Sequence, residues 1–457
     1  MRPALRPSWR RTIAATGLTA AVAATLISGP AHAAPAPDAP APRPRVQVEI
    51  PGPQSGTAAG SGHTLVPAAG RPGAKPPARL SGRAAAADGE VSEMVDNGPV
   101  ADRLDVVIVG DGYTADQLAQ FHADAKEKWG EVTGVEPYTT YQNLFNVWTV
   151  DAVSAQSGVS GDPAKGDVKN TALGSYFWCD DIERLLCVDQ DKVDAYVAKA
   201  PQADLVIVLA NSAKYGGAGY NERSQKLGYE GISTASAGNA KSGQVAIHET
   251  GHSLGKLADE YFYPGTPGYE HYEGPEATES NISVLSAAQM AAQRTKWYRW
   301  LGETSPDGGT VGAYEGGGYY VTGLNRPTDN SIMRVLGKPF SLPGREAMIA
   351  GFYRHASIAT AAVPTARTLG KHDRARVTVP RFTGAGAQQP RVRWFLDGRE
   401  LKRFEGRTWV GVAQAVISPW DHRAHRLSVT VDDPTPAVRD PQIRATLSDT
   451  VNWTVRA

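Results

Sequence analysis

Cysteine is almost missing from this 457-residue chain, which holds only Cys179 and Cys187. A cysteine-built zinc site is thereby excluded, because no further cysteine or histidine lies near the pair to complete four ligands. Net charge is missing as well: Lys plus Arg equals Asp plus Glu, 47 against 47, so no basic excess points to nucleic acid. No long apolar run follows residue 27, so nothing beyond the N-terminus reads as a membrane span. No internal repeat is evident. The length suits two or three domains with ordinary cores.

The N-terminus has an export pattern. Arg2, Arg6, Arg10 and Arg11 precede the apolar stretch Thr12–Ile27, and Ala31-His32-Ala33 offers a small-residue cleavage site. Residues 1–33 therefore read as a signal peptide, through the general or the twin-arginine route, and the expected protein is secreted and extracellular. In that setting Cys179 and Cys187 are expected to form one local disulfide. Residues 34–89 are rich in Pro, Ala and Gly and poor in aromatics, a composition expected not to bury enough apolar surface to order itself. A linker, a propeptide and a wall spacer all fit it. With no cysteine there, a thiolate cannot be the group that blocks a zinc ion.

Order is expected from about residue 90. Leu104–Val109 and Asp204–Leu209 are continuous apolar runs, as in strands buried on both faces. Phe145–Ser154 reads as a further strand and Gly231–Ser236 as a weaker one. Thr114 is placed to cap a helix running to Val132, Lys192–Lys199 suits a short helix, and Ser242 opens another. Strands alternating with helices predict an α/β fold with a mixed sheet over residues 90–364. Residues 365–457 differ in texture. Ala375–Val379, Arg391–Phe395, Trp409–Ile417, Leu427–Val431 and Gln442–Leu447 are short strand-like runs between turn signals, predicting a small immunoglobulin-like β-sandwich around Trp394. Every candidate ligand precedes it, so it is expected to be dispensable for the site.

The chemistry sits in His248-Glu249-Thr250-Gly251-His252. On a helix, positions i and i+4 share a face, so the two imidazoles can hold one zinc ion while Glu249 flanks it as general base. The ion lowers the pKa of its water to about 7, within reach of that carboxylate. Gly255, three residues after His252, is expected to take a left-handed conformation and turn the chain back under the metal. The usual third-ligand position is then Ala258, which cannot bind metal. Asp259 follows it and is the expected third ligand, with Glu260 as the alternative. A glutamate from farther along, Glu273, Glu276 or Glu279, would be the choice in a different zinc-peptidase layout. Asn330–Arg334 has the form of a methionine turn, with Met333 as an apolar floor beneath the metal, and Pro343 opens a closing helix.

Three stretches resemble the IgA-peptidase family of metallopeptidases: Arg103–Thr114 (RLDVVIVGDGYT), Thr171–Asp189 (TALGSYFWCDDIERLLCVD) and His248–Tyr261 (HETGHSLGKLADEY). The resemblance covers roughly Glu90 to Ile358. It implies a metzincin-like domain, zinc endopeptidase activity, metal ligation by His248 and His252 and, by position, Asp259, with Glu249 as the base. The family name does not carry an immunoglobulin substrate over to this chain. The expected cofactor is Zn2+ and the expected partner a protein or peptide substrate, with no nucleic acid and no membrane span. Oligomeric state is left open. Competing readings are a non-catalytic surface-binding protein and a zinc hydrolase of non-peptide amides.

Overall fold

The computed structural model describes residues 44–53, 61–71, 79–416 and 423–456. The expected signal peptide lies outside them, and among the described residues no helix is long and apolar enough to cross a membrane. The first strands are β1 (Arg45–Ile50), β2 (Gly62–Pro67), β3 (Val91–Val95), β4 (Leu104–Asp111) and β5 (Phe145–Val150). They are followed by β6 (Leu205–Ala210), β7 (Gly217–Tyr220) and β8 (Ile232–Ser236). These make one eight-stranded sheet in the order β2-β1-β7-β8-β6-β4-β5-β3. Its centre, β8-β6-β4-β5, is parallel, while β7, β1, β2 and β3 join antiparallel. The mixed α/β architecture read from the alternating runs is the one observed.

Period-two alternation explains why the central strands have no polar face. Val106 and Ile108 of β4 and Leu205, Ile207 and Leu209 of β6 enter one buried layer. Val107, Val109, Val206 and Val208 enter the opposite layer. Both faces must then be covered. Helices α1 (Gly82–Ala87), α2 (Leu118–Thr133), α3 (Tyr138–Tyr141), α4 (Gln190–Val197) and α5 (Ser242–Ser253) come before the site loops. Phe121, Ala125 and Val132 of α2 and Ile247 of α5 fill the first layer, and Val193 and Val197 of α4 fill the second. Thr114 and Gln117 form a capping box leading into α2. Asp111, at the end of β4, accepts from Leu173 N, Ser175 N and Thr171 Oγ1 at 2.8–2.9 Å, which fastens the Thr171–Asp189 stretch to the sheet. Within that stretch Cys179 and Cys187 are disulfide-bonded.

Beyond α5 come α6 (Ala287–Gln293), the hairpin β9 (Tyr314–Gly317) and β10 (Tyr320–Arg326), and α7 (Leu342–Phe352). Ser341 caps α7, and Pro343 sits in its first turn. The C-terminal strands are β11 (Thr360–Ala361), β12 (Arg374–Thr378), β13 (Arg391–Leu396) and β14 (Arg399–Glu400). They continue with β15 (Trp409–Gly411), β16 (His425–Asp432) and β17 (Ser448–Val455). Two antiparallel sheets result, β11-β12-β15 and β14-β13-β16-β17, with short helices α8 (Val412–Ala415) and α9 (Pro441–Thr446). Trp394 is fully buried and stacks on Trp453 at 5.9 Å.

Three expectations are corrected. Residues 34–89 were expected not to order themselves, yet β1 and β2 lie within them and bury Val48, Ile50 and Val66 in the second layer. A few alternating apolar residues suffice because the strands add to an existing sheet rather than build a core of their own. Gln442–Leu447 is helical, not a strand, because Asp440 accepts from Gln442 N and Ile443 N and Pro441 occupies the first turn. Nor does the C-terminal region have a core of its own. One continuous buried layer joins Tyr141 and Phe352 to Phe382, Trp394 and Val429, and Asp433 accepts buried hydrogen bonds from Tyr141 at 2.6 Å and Tyr353 at 2.9 Å.

Candidate metal centre

Helix α5 lies against β7 and β8, and a Cβ at Gly219 of β7 would overlap the Glu249 carboxylate. This bare strand surface lets the helix come close enough for Glu249 to rest on the sheet. His248 and His252 leave the same face with ring centroids 4.9 Å apart. Each ring is tied by its Nδ1 to a backbone carbonyl, His248 to Ile332 at 2.8 Å and His252 to Leu257 at 2.7 Å. Both Nδ1 atoms are therefore protonated donors, and both Nε2 atoms are turned toward the same point.

After His252 the chain turns back, though not as expected. Gly255 is absent from the positive-φ residues, and Lys256 takes the left-handed position at φ 50°. Gly255 is required by crowding instead: a Cβ there would stand 2.6 Å from Gly251 O and 2.7 Å from Met348 Sδ. The return brings Asp259 Oδ1 to 3.2 Å from His248 Nε2 and 3.4 Å from His252 Nε2. Glu260, its neighbour, faces away. Its oxygens accept from Asn281 Nδ2 at 3.0 Å and Ser331 Oγ at 2.7 Å, and burial raises its carboxyl to about 7. Glu260 thereby ties the return loop to the Asn330–Arg334 turn. Met333 is buried under α5, where a Cβ on Gly251 would overlap its sulfur. Among the more distant acids, Glu276 pairs with Lys296 at 3.1 Å, and neither it nor Glu273 or Glu279 joins the cluster.

One member of the cluster was missed in the sequence. Glu49 of β1 places Oε1 at 2.8 Å from His248 Nε2 and Oε2 at 3.0 Å from His252 Nε2. The signal was the alternation in Val46-Gln47-Val48-Glu49-Ile50, which puts the acid on the face opposite the apolar residues. It was obscured by the Pro/Gly-rich flanks. Tyr261 donates to Glu49 at 3.2 Å, Tyr319 donates to Asp259 Oδ2 at 2.6 Å, and Asn221 bridges Glu49 and Glu249 at 3.2 and 2.9 Å.

The electrostatics are those of a cation site. Burial would keep both imidazoles neutral, but the Glu49 and Asp259 carboxylates raise them well above the usual histidine range. Burial would likewise raise Glu49 and Asp259, but the two imidazoles hold both low, Glu49 well below the carboxylate range. Glu249 is pushed the other way, well above its ordinary value, by burial and by the charge of Glu49. Donor atoms of Glu49, His248, His252 and Asp259 lie within 4.8 Å of one another, and among the described residues this is the one group with that property. Two imidazole nitrogens with carboxylate oxygens are a donor set that fits zinc. Glu249 Oε1 and Asp259 Oδ1 are buried without a hydrogen-bond partner, as expected of atoms placed for an ion or a water.

The family model described as IgA Peptidase M64 matches residues 92–307, the stretch that carries His248, His252 and Asp259. That match supports the IgA-peptidase family of metallopeptidases. The matched family suggests a metallopeptidase, a hydrolase whose substrates are proteins. The matched region begins after Glu49 and ends before Met333, so Glu49 is found from the coordinates alone and Met333 from the Asn330–Arg334 turn in the sequence. No curated protein matches the chain.

Proposed function

We propose that this is a secreted, zinc-dependent endopeptidase in which His248, His252 and Asp259 hold the metal and Glu249 is the general base. The observation that carries the reading is the convergence of two Nε2 atoms and Asp259 Oδ1 beside the unpartnered Glu249 Oε1. Zinc held there would supply Lewis acidity, polarising a scissile carbonyl and acidifying a water. Glu249 takes the proton of the attacking water and passes it to the departing amine. Asn221 fixes one Glu249 oxygen and leaves the other free for the water. Tyr261 and Tyr319 are placed to orient groups around the metal.

A metzincin-like arrangement is supported by the turn at Lys256, by Met333 beneath α5 and by the Ile332 carbonyl on His248. We read residues 1–33 as the export signal, residues 90–364 as the peptidase domain and residues 365–457 as an immunoglobulin-like sandwich built on it. The test is metal analysis together with peptide cleavage. The secreted chain is expected to carry about one zinc, and Glu249→Ala is expected to keep that zinc while hydrolysis is abolished. A chain purified without stoichiometric zinc, or a Glu249→Ala variant that cleaves as fast as the unaltered chain, would sink the reading.

A further inference from the structure

Catalytic zinc sites keep one position open, whereas sites with four protein ligands are closed and structural. His248, His252 and Asp259 would leave a position open. Glu49 would fill it, since its two carboxylate oxygens stand 2.8 and 3.0 Å from the two Nε2 atoms. We propose that the β1–β2 hairpin is an inhibitory prosegment and that Glu49 closes the metal site in a latent form of the enzyme. This rests on the zinc-peptidase reading above.

A second, independent feature is the strand pairing. Strand β1 pairs with β7 at Glu49 and Gly219, the residue whose missing side chain leaves room for Glu249. Without β1, β7 would be the edge of the sheet, with open backbone groups running beside the general base. An extended peptide recognises such an edge by adding as a further strand. The hairpin therefore occupies the course a substrate backbone would take, and it sets an acid at the position of the bond to be cut. It is fastened just after that point and across the hairpin from it. Arg184 Nε donates to Pro51 O at 2.7 Å and the Tyr215 hydroxyl donates to Gly52 O at 2.5 Å. His63 of β2 packs edge-on against Tyr319 at 5.3 Å.

Release has an accessible place to begin. Arg79 and Arg83 are exposed, and α1 buries none of its residues. Hydrolysis of one peptide bond there, consuming one water, would disconnect the hairpin from β3, which is integral to the sheet at the far edge. The mature N-terminus is thus expected between Pro67 and Val91.

The test compares the full chain with Glu49→Ala and the isosteric Glu49→Gln, each loaded with Co2+ and titrated with acetohydroxamate while the cobalt absorption bands are read. A tethered ligand competes at an effective concentration on the order of millimolar. Both variants should therefore bind one cobalt and respond to at least tenfold less acetohydroxamate than the unaltered chain. N-terminal sequencing of chain trimmed by trypsin to a start after residue 67 should accompany the same gain. Superimposable titrations for all three chains would overturn the latch. So would loss of cobalt from both variants while the intact chain accepts acetohydroxamate, which would make Glu49 a permanent ligand. If the unaltered chain takes up no cobalt, the metallopeptidase reading itself fails and the latch falls with it.

Discussion

Replacing Asp433 by alanine is expected to destabilise the whole molecule, including the metal centre. Asp433 is 2% exposed; it accepts from the Tyr141 and Tyr353 hydroxyls at 2.6 and 2.9 Å and from Thr435 N at 2.8 Å. Hydrogen bonds to a charged group contribute about 1.5–3 kcal/mol each, and a buried donor left unpaired costs about 1–3 kcal/mol. Burial raises the Asp433 carboxyl, so part of that gain already offsets the cost of the buried charge. A net loss of about 3–5 kcal/mol follows for Asp433→Ala, a large share of the roughly 5–15 kcal/mol that holds a domain. Tyr353→Phe, which removes one donor and leaves the carboxylate otherwise bonded, should cost about 1 kcal/mol. The loss should reach the site through α7. Tyr353 lies at the end of that helix, Arg354 Nη2 bonds Leu254 O, and a Cβ on Gly351 would overlap that same carbonyl just past α5. Urea unfolding followed by tryptophan fluorescence gives the free energies, and amide hydrogen exchange in α5 and α7 shows whether the loss is shared. A cost below about 1 kcal/mol for Asp433→Ala, or faster exchange confined to residues 365–457, would refute the shared core.

Three further outcomes follow from particular residues. Asp259→Ala should weaken zinc binding by more than the roughly 10–100-fold typical of an outer partner, whereas Glu260→Ala should chiefly lower stability; chelator competition and thermal melts on both variants check this. Burial raises the Asp105 carboxyl to about 6, above its ordinary value near 3.8, so the folded chain holds a proton that the unfolded chain releases. Stability should then fall as pH rises from about 4 through 6, and Asp105→Asn should flatten that part of the melting-temperature profile; identical profiles would contradict it. Mass spectrometry of the purified chain without reductant should find no free thiol at Cys179 or Cys187, and two alkylated cysteines would contradict the bond.

What could be read in the sequence was what depends on local pattern. LDVVIV and DLVIVL read as doubly covered strands, and Thr114 as the cap that begins a helix. The i, i+4 histidines declared their own geometry. What could not be read depends on partners remote in the chain. Glu49 reaches His248 only because β1 finds the free edge of β7, and nothing in a proline-rich neighbourhood announces that pairing. Gly255 looked like a conformational requirement and is a packing one, set by Met348 on a helix nearly a hundred residues later. In β17 the inward residues Val451, Trp453 and Val455 alternate with Thr and Asn, a sound strand signal masked by its polar outer face. The Asp440-Pro441 start of α9 was a helix cap, passed over in favour of the apolar spacing that follows it.

The bare Gly251 between His248 and His252 leaves the Met333 thioether no room to grow. Oxidation to the sulfoxide adds an oxygen and makes a soft apolar group polar and chiral. In a floor where a single methyl on Gly251 would already overlap the sulfur, that oxygen would lift α5 and spread the two imidazoles. Met333 is 1% exposed, so peroxide reaches it only when the floor opens. A bound ion favours the closed form by mass action. Metal content and redox history are therefore coupled: a preparation stripped of its ion and then exposed to peroxide should lose the ability to reload until a sulfoxide reductase repairs it. The same preparation, reloaded first, should pass through the exposure intact.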